Sequence, residues 1–291
     1  MLTSHSEYGT LKKVFIKRAS AAFKSQDEID SQWNKLNYLS SPNYERALFE
    51  YKGFEKLIEQ SVSEVAYFNP NAEVSIDSLY CRDASIMTDH GVILCSMGKE
   101  ERISEPKACK EDYELKGIKI LGEISGDGKV EGGDVAWLDE KTLAVAHGYR
   151  TNDEGYAQLC ALLNPNGIEV IQVDLPHFKG QNDVFHLMSI FSPVDKNKAV
   201  VYSPLMPVRF REELLSRDYD LIEVPENEFE SMGCNVLAVS PSNCLLVKGN
   251  NITATRLKSA GCTVSEYEGQ EISVKGGGGP TCLTRPILRE I

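Results

Sequence analysis

A five-bladed α/β propeller built from repeated strand–strand–helix–strand modules is the fold predicted by this 291-residue sequence. Two observations carry the prediction. An apolar hairpin, a helical stripe and a closing strand recur at a spacing of about fifty residues, which is what a ring of like modules shows. No strand runs into a G-x-G-x-x-G turn that opens a helix, so a dinucleotide fold lacks its phosphate-binding fingerprint. An ordinary α/β sandwich is the competing architecture.

The modules follow in order. The hairpin of the first is split between the two chain ends, and "SEVAYFN" (63–69) closes it. The second hairpin reads "DASIMTDHGVILC" (83–95) and its module closes with "GIKILGEI" (117–124). In the third, "GDVAWLDEKTLAVA" (133–146) leads to "NDEGYAQLCALLNPNG", where Tyr156, Leu159, Cys160, Leu162 and Leu163 form one helical stripe. Asn152 or Asp153 caps that helix, and "GIEVIQVDL" ends the module. The fourth pairs "LMSIFSPVDKNKAVVY" with "DYDLIEVP", and the fifth pairs "NVLAVSPSNCLLVK" with "GCTVSEYE". Apolar runs broken by Asp, Asn, Lys, Ser or Gly are the strand and turn signals used throughout. Residues 1–291 are therefore read as one domain.

Composition narrows the function. A net charge of −12 argues against binding of nucleic acid or an anionic membrane, which needs clustered Lys and Arg, and suits a small cationic substrate; solubility alone would also account for it. No apolar run approaches a membrane span, and "MLTSHSEYGTLKKVF" does not read as a secretion signal, so a cytoplasmic location is expected. The eight cysteines then stay reduced, and without a Cys-x-x-Cys pair or matching His spacing no zinc site is expected.

In such a ring the residues entering each hairpin lie near the axis, so distant polar residues converge there. "SIDSLYCRD" offers Asp77, Arg82 and Asp83; "VEGGD" offers Glu131 and Asp134; "DVFHLM" offers His186; "GGGGPTC" offers Cys282. Each has a mundane role singly, as turn cap, backbone anchor, core histidine or packing thiol, but corresponding positions in different modules make a site. Gly276 to Gly279 let the backbone come close to a ligand, and Pro280 stiffens the loop ahead of the thiol. A flexible tail is the alternative, disfavoured by the strand-like "CLTRPIL" that follows.

A thiolate beside an imidazole supports covalent catalysis. Paired carboxylates suit a planar guanidinium, with its five N–H donors, better than an oxyanion. Arg102 in "GKEERIS" and Arg150 in "HGYRTND", both just after hairpins, fit a substrate carboxylate.

With "YCRDAS", "EGGDV", "GYRTN", "FHLMS" and "GGGGPTCLTRP" in this order, the whole chain resembles the guanidine-modifying superfamily of arginine deiminases, amidinotransferases and dimethylarginine dimethylaminohydrolases, whose fold is the five-bladed pentein propeller. Bacterial dimethylarginine dimethylaminohydrolase-like proteins are the nearest in pattern. The resemblance implies Cys282 as nucleophile, His186 as general acid and base, Asp83 and Glu131 as guanidinium holders, and Arg102 and Arg150 as carboxylate binders. It implies a substrate contact at Asp77 and a lid around "SQWNKLNYLSSPNYE" (31–45). Arg82, Asp134, Met188 and Gly279 complete the expected substrate-binding set.

Two departures bear on the substrate. Deiminases and many amidinotransferases carry an aspartate two residues after the histidine, where this chain has Met188; the dimethylarginine enzymes have Glu-Asp where it has Arg82-Asp83. The expected reaction is hydrolysis of arginine or a methylated arginine to citrulline and an amine, with no metal or cofactor. Arginine deiminase and amidinotransferase chemistry are the alternatives within the fold, and a silent binding module is the alternative outside it. A homodimer is the oligomer the resemblance allows.

Overall fold

The computed structural model describes residues 1–291. In chain order the first blade's elements are β1 (Leu2–Thr3), β2 (Thr10–Ile16), α1 (Ala19–Phe23), α2 (Gln26–Gln32), α3 (Tyr44–Ser61) and β3 (Glu64–Tyr67). The second has β4 (Ser85–Thr88), β5 (Gly91–Leu94), α4 (Glu105–Leu115) and β6 (Ile120–Glu123); the third has β7 (Val135–Asp139), β8 (Thr142–His147), α5 (Asp153–Leu163) and β9 (Glu169–Asp174). In the fourth are β10 (Phe191–Asp195), β11 (Lys198–Val201), α6 (Val208–Ser216) and β12 (Asp220–Glu223), followed by a short α7 (Glu226–Phe229). The fifth has β13 (Leu237–Ser240), β14 (Asn243–Val247), α8 (Asn251–Ser259) and β15 (Thr263–Tyr267), and β16 (Thr284–Glu290) ends the chain.

Each blade is a small sheet in which the first strand runs antiparallel to the second and the second parallel to the third, as in β7-β8-β9 and β13-β14-β15. A parallel step needs a crossover, and the helix of each module supplies it. The middle strand is covered on both faces, which is why "TLAVA" in β8 is apolar without alternation and buried throughout. Outer strands such as β15, "TVSEY", keep polar residues at solvent-facing positions. The side chain of Asn152, not Asp153, caps α5 by accepting from the Gly155 amide at 2.9 Å.

The split blade is completed by β16, which inserts between β1 and β2 in the order β1-β16-β2-β3. Both chain ends are therefore held in one sheet, and the five sheets close into an α/β propeller, the architecture expected from the repeats. The two largest apolar clusters meet near the axis: one contains Leu187, Met188 and Cys234, the other Tyr38, Tyr80 and Cys282. No helix is long and apolar enough to cross a membrane.

Candidate active site

The segments that enter the five hairpins are stitched to one another around the axis. The Arg82 amide donates to the Cys282 carbonyl at 3.2 Å, and the Gly132 amide donates to the Asp83 carbonyl at 2.8 Å. Asp134 accepts from the Leu187 amide at 3.3 Å; the Ser192 hydroxyl donates to the Cys234 carbonyl at 2.7 Å and accepts from the Val236 amide at 3.2 Å. Asn235 closes the circuit by accepting from the Thr281 amide at 3.0 Å. This belt brings together residues up to two hundred positions apart in the chain.

Asp83, Glu131 and His186 lie with their functional atoms within 4.8 Å of one another. The His186 ring meets Glu131 Oε2 at 2.7 Å through Nε2, and its Nδ1 stands 3.9 Å from Asp83 Oδ1. Asp83 Oδ1 is buried and accepts no hydrogen bond, whereas Oδ2 takes Arg102 at 2.6 Å. Cys282 and His186 line the same cavity of about 100 Å³; Asp83 and Glu131 sit deeper, beside the imidazole, and are fully buried. The Cys282 sulfur receives the Asn235 side-chain amide at 3.4 Å.

Burial works against the Glu131 carboxylate, but Arg150 and the His186 ring hold it well below the usual carboxylate range. Its oxygens also accept from the amides of Gly98 and Lys99 at 3.0 and 3.2 Å. An ionised carboxylate only accepts, so His186 Nε2 carries the proton of the 2.7 Å bond and Nδ1 is the exchangeable atom. Burial opposes a charged imidazole, yet the carboxylates of Asp134, Asp83 and Glu131 raise His186 to about 9. Burial, then the Asp83 charge, pushes the Cys282 thiol up to about 11.

Three groups of this kind are also a possible metal cluster. The donor set argues against that use: Arg150 already faces Glu131, Arg102 faces Asp83, and an imidazole with its pKa near 9 offers no free lone pair at neutral pH. A cation with its own N–H donors fits the unpartnered Asp83 Oδ1 better.

Several residues expected to touch substrate are placed elsewhere. Arg102, expected to chelate a carboxylate, is 1% exposed and fully committed: it pairs with Asp83 and, through two nitrogens at 2.9 and 2.8 Å, with Glu105, and donates to the Tyr80 carbonyl at 2.9 Å. It positions Asp83. Arg82 points away from the cavity to Glu7 at 2.9 Å. Asp77 is held by Lys99 at 2.6 Å, and Asp134 anchors Thr151 and Leu187, so neither lines the cavity. Burial raises Asp134 to about 6. Met188 does line the cavity wall. Arg150 instead lines an adjoining polar cleft of about 430 Å³, with Lys99 and Lys35. Within the expected lid, Leu36, Asn37 and Leu39 line the cavity; Asn37 donates to the Asn182 carbonyl at 2.6 Å and the Leu36 carbonyl accepts from Lys99 at 2.8 Å.

Gly276 and Gly277 line the cavity. Of Gly276 to Gly279 only Gly277 has a positive φ, +74°. A Cβ at Gly278 would stand 2.3 Å from the Tyr80 ring, and one at Gly279 would stand 2.5 Å from Asn235, so Gly279 makes room for a side chain. In "EGGDV", a Cβ at Gly132 would meet the Arg82 carbonyl at 2.2 Å and one at Gly133 would meet His186 Nδ1 at 2.4 Å. The two glycines let the belt close and leave space for the imidazole.

Asn235 was not among the expected residues. It stands two positions ahead of β13, as Asp83 stands ahead of β4 and Cys282 ahead of β16. The repeat itself carries that signal, since every other hairpin entry presents a polar residue.

Fold and family together define a hydrolase of the guanidine-modifying pentein superfamily. The chain belongs to the family described as N,N dimethylarginine dimethylhydrolase, eukaryotic, whose model matches residues 17–289. It is 25% identical over 284 residues to the uncharacterized protein YkgA of Bacillus subtilis (strain 168), covering 98% of this chain and 94% of that one. It is 23% identical to the N(G),N(G)-dimethylarginine dimethylaminohydrolase of Pseudomonas aeruginosa, covering 85% of this chain and 91% of the relative. Among solved structures, the substrate-bound N-terminal domain of ArgZ, an arginine dihydrolase from Cyanobacteria, superposes with a TM-score of 0.79 at 19% identity, covering 94% of this chain and 97% of the other.

Proposed function

We propose that this protein hydrolyses the guanidinium carbon of an N-methylated arginine, releasing citrulline and a methylamine. The observation that carries the reading is the convergence of Cys282, His186, Asp83 and Glu131 from four blades, with one buried carboxylate oxygen of Asp83 unpartnered. Family membership supports guanidine chemistry. The methylated substrate is supported by the cavity wall, where Met188, Phe185, Val184 and Met232 stand beside the reactive pair. An apolar wall accepts methyl groups and leaves a bare N–H unsatisfied. We assign the carboxylate end to the adjoining cleft, which Arg150 and Lys99 line while also bonded to Glu131 and Asp77.

In the first step Cys282, having released its thiol proton to solvent as substrate binds, attacks the guanidinium carbon through Sγ while Asp83 and Glu131 hold its nitrogens. The C–N bond to the methylated nitrogen breaks, and His186 Nδ1 gives the leaving amine its proton, leaving an amidino group on sulfur. Water then attacks that carbon and loses a proton to His186. The C–S bond breaks and the thiolate returns. The incoming cation offsets the Asp83 charge, so substrate itself favours thiolate formation.

The test is incubation with methylated arginines, arginine and agmatine, with detection of ureido product, methylamine and ammonia. Methylamine and citrulline from the methylated substrates are expected, with Cys282→Ser inactive. Ammonia from plain arginine alone would replace the methylated substrate by arginine. Amidino transfer to an added amine in preference to water would make the protein a transferase.

A further inference from the structure

We propose that Asn235 is the hydrogen-bond donor that holds and stabilises the thiolate of Cys282. Its amide lies in the belt with both ends committed. Oδ1 accepts from the Thr281 amide at 3.0 Å and from the Thr281 hydroxyl at 2.9 Å, which uses both of its lone pairs. The nitrogen end is thereby turned toward Cys282 Sγ, 3.4 Å away. Thr281 Oγ1 also lies 3.8 Å from the sulfur, but its single proton is given to Asn235, so it has none left for a thiolate.

The need for such a donor follows from the surroundings. Cys282 is buried and feels the Asp83 charge, both of which disfavour a negative sulfur. Arg82, whose charge acts in the favourable direction, is turned to Glu7 and makes no bond to the thiol. Asn235 itself is 5% exposed, so its N–H acts in a medium where a charge-assisted bond counts for more than in water. Gly279 belongs to the same device: with any side chain there, a Cβ 2.5 Å from Asn235 Oδ1 would drive the amide off the sulfur.

The inference rests on reading Cys282 as the nucleophile, but it is tested without any substrate. The full chain and its Asn235→Ala, Asn235→Asp and Thr281→Val variants are alkylated with neutral iodoacetamide across pH, and modification of the Cys282 peptide is followed by mass spectrometry. Loss of the donor in Asn235→Ala should raise the thiol titration by about one pH unit and slow alkylation at neutral pH about tenfold. Asn235→Asp keeps the shape but places an acceptor against sulfur, and should raise it further. Thr281→Val, which frees the amide to swing, should shift it in the same direction by less. Unchanged titration in both Asn235 variants overturns the proposal. Should Asn235→Ala not fold, by circular dichroism, the near-isosteric Asn235→Asp decides alone. Turnover of methylated arginines is measured in parallel, so an inactive wild type would remove the substrate reading and leave the thiol result standing.

Discussion

Replacing Glu131 by Gln removes one charge from the site and nearly preserves its shape, and the consequence can be worked through His186. Against an ordinary value of 6.5 the imidazole is raised to about 9. That rise of roughly two and a half pH units corresponds to about 3 kcal/mol in favour of the charged ring. Burial acts against it, so the carboxylates of Asp134, Asp83 and Glu131 together supply more than this net figure. Glu131 contributes both a charge and the 2.7 Å bond, so its removal should take away at least a third of the effect and lower the titration by about one pH unit or more. The assay is NMR of histidine labelled with ¹⁵N; the chain has five histidines, and His186→Asn identifies the resonance. In Glu131→Gln the ring should titrate near or below about 8. A titration that stays at its wild-type position, or rises, would refute the electrostatic account of the site.

Other predictions follow from the same geometry. Arg102→Ala should leave Asp83 and Glu105 buried without their partner and destabilise the fold by about 3–5 kcal/mol in urea unfolding; a stable protein with only a raised KM would restore Arg102 as a carboxylate binder. Gly133→Ala should displace the imidazole, reduce kcat by about a hundredfold and destabilise the fold by about 1–3 kcal/mol, checked by steady-state kinetics and calorimetry. Met188→Asp should shift relative kcat/KM from methylated arginine toward arginine, read by competition of the two substrates. Because His186 is raised in the fold, its stabilisation is complete below pH 6.5 and lost as pH rises through about 9; His186→Asn should flatten that part of the melting-temperature profile.

The repeat was legible in the sequence because a blade's middle strand, covered on both faces, must be apolar, and because its turns and helix caps carry their own residue types. Residues 133–146 and 235–248 showed this without any partner in view, and the hairpin entries led directly to Asp83, Glu131, His186 and Cys282. The same rule applied to the fifth blade reaches Asn235. What a side chain does at such a position depends on which neighbours the closed ring supplies, and local patterns do not encode that.

Arg102 and Arg150 illustrate the limit, since both are arginines shortly after a hairpin. Folding buries both, the first between two carboxylates away from the cavity and the second against Glu131 at the wall of a polar cleft, a difference made by Asp83, Glu105 and Glu131, which are brought in by packing. Likewise the four glycines before Cys282 announced close approach, but only the tertiary structure decided that Tyr80 and Asn235 are what approaches. Periodicity and residue type, being local, determined the blades and the candidate groups at their entries. Charge pairing, burial and the orientation of each donor are properties of the assembled ring, and they were decided there.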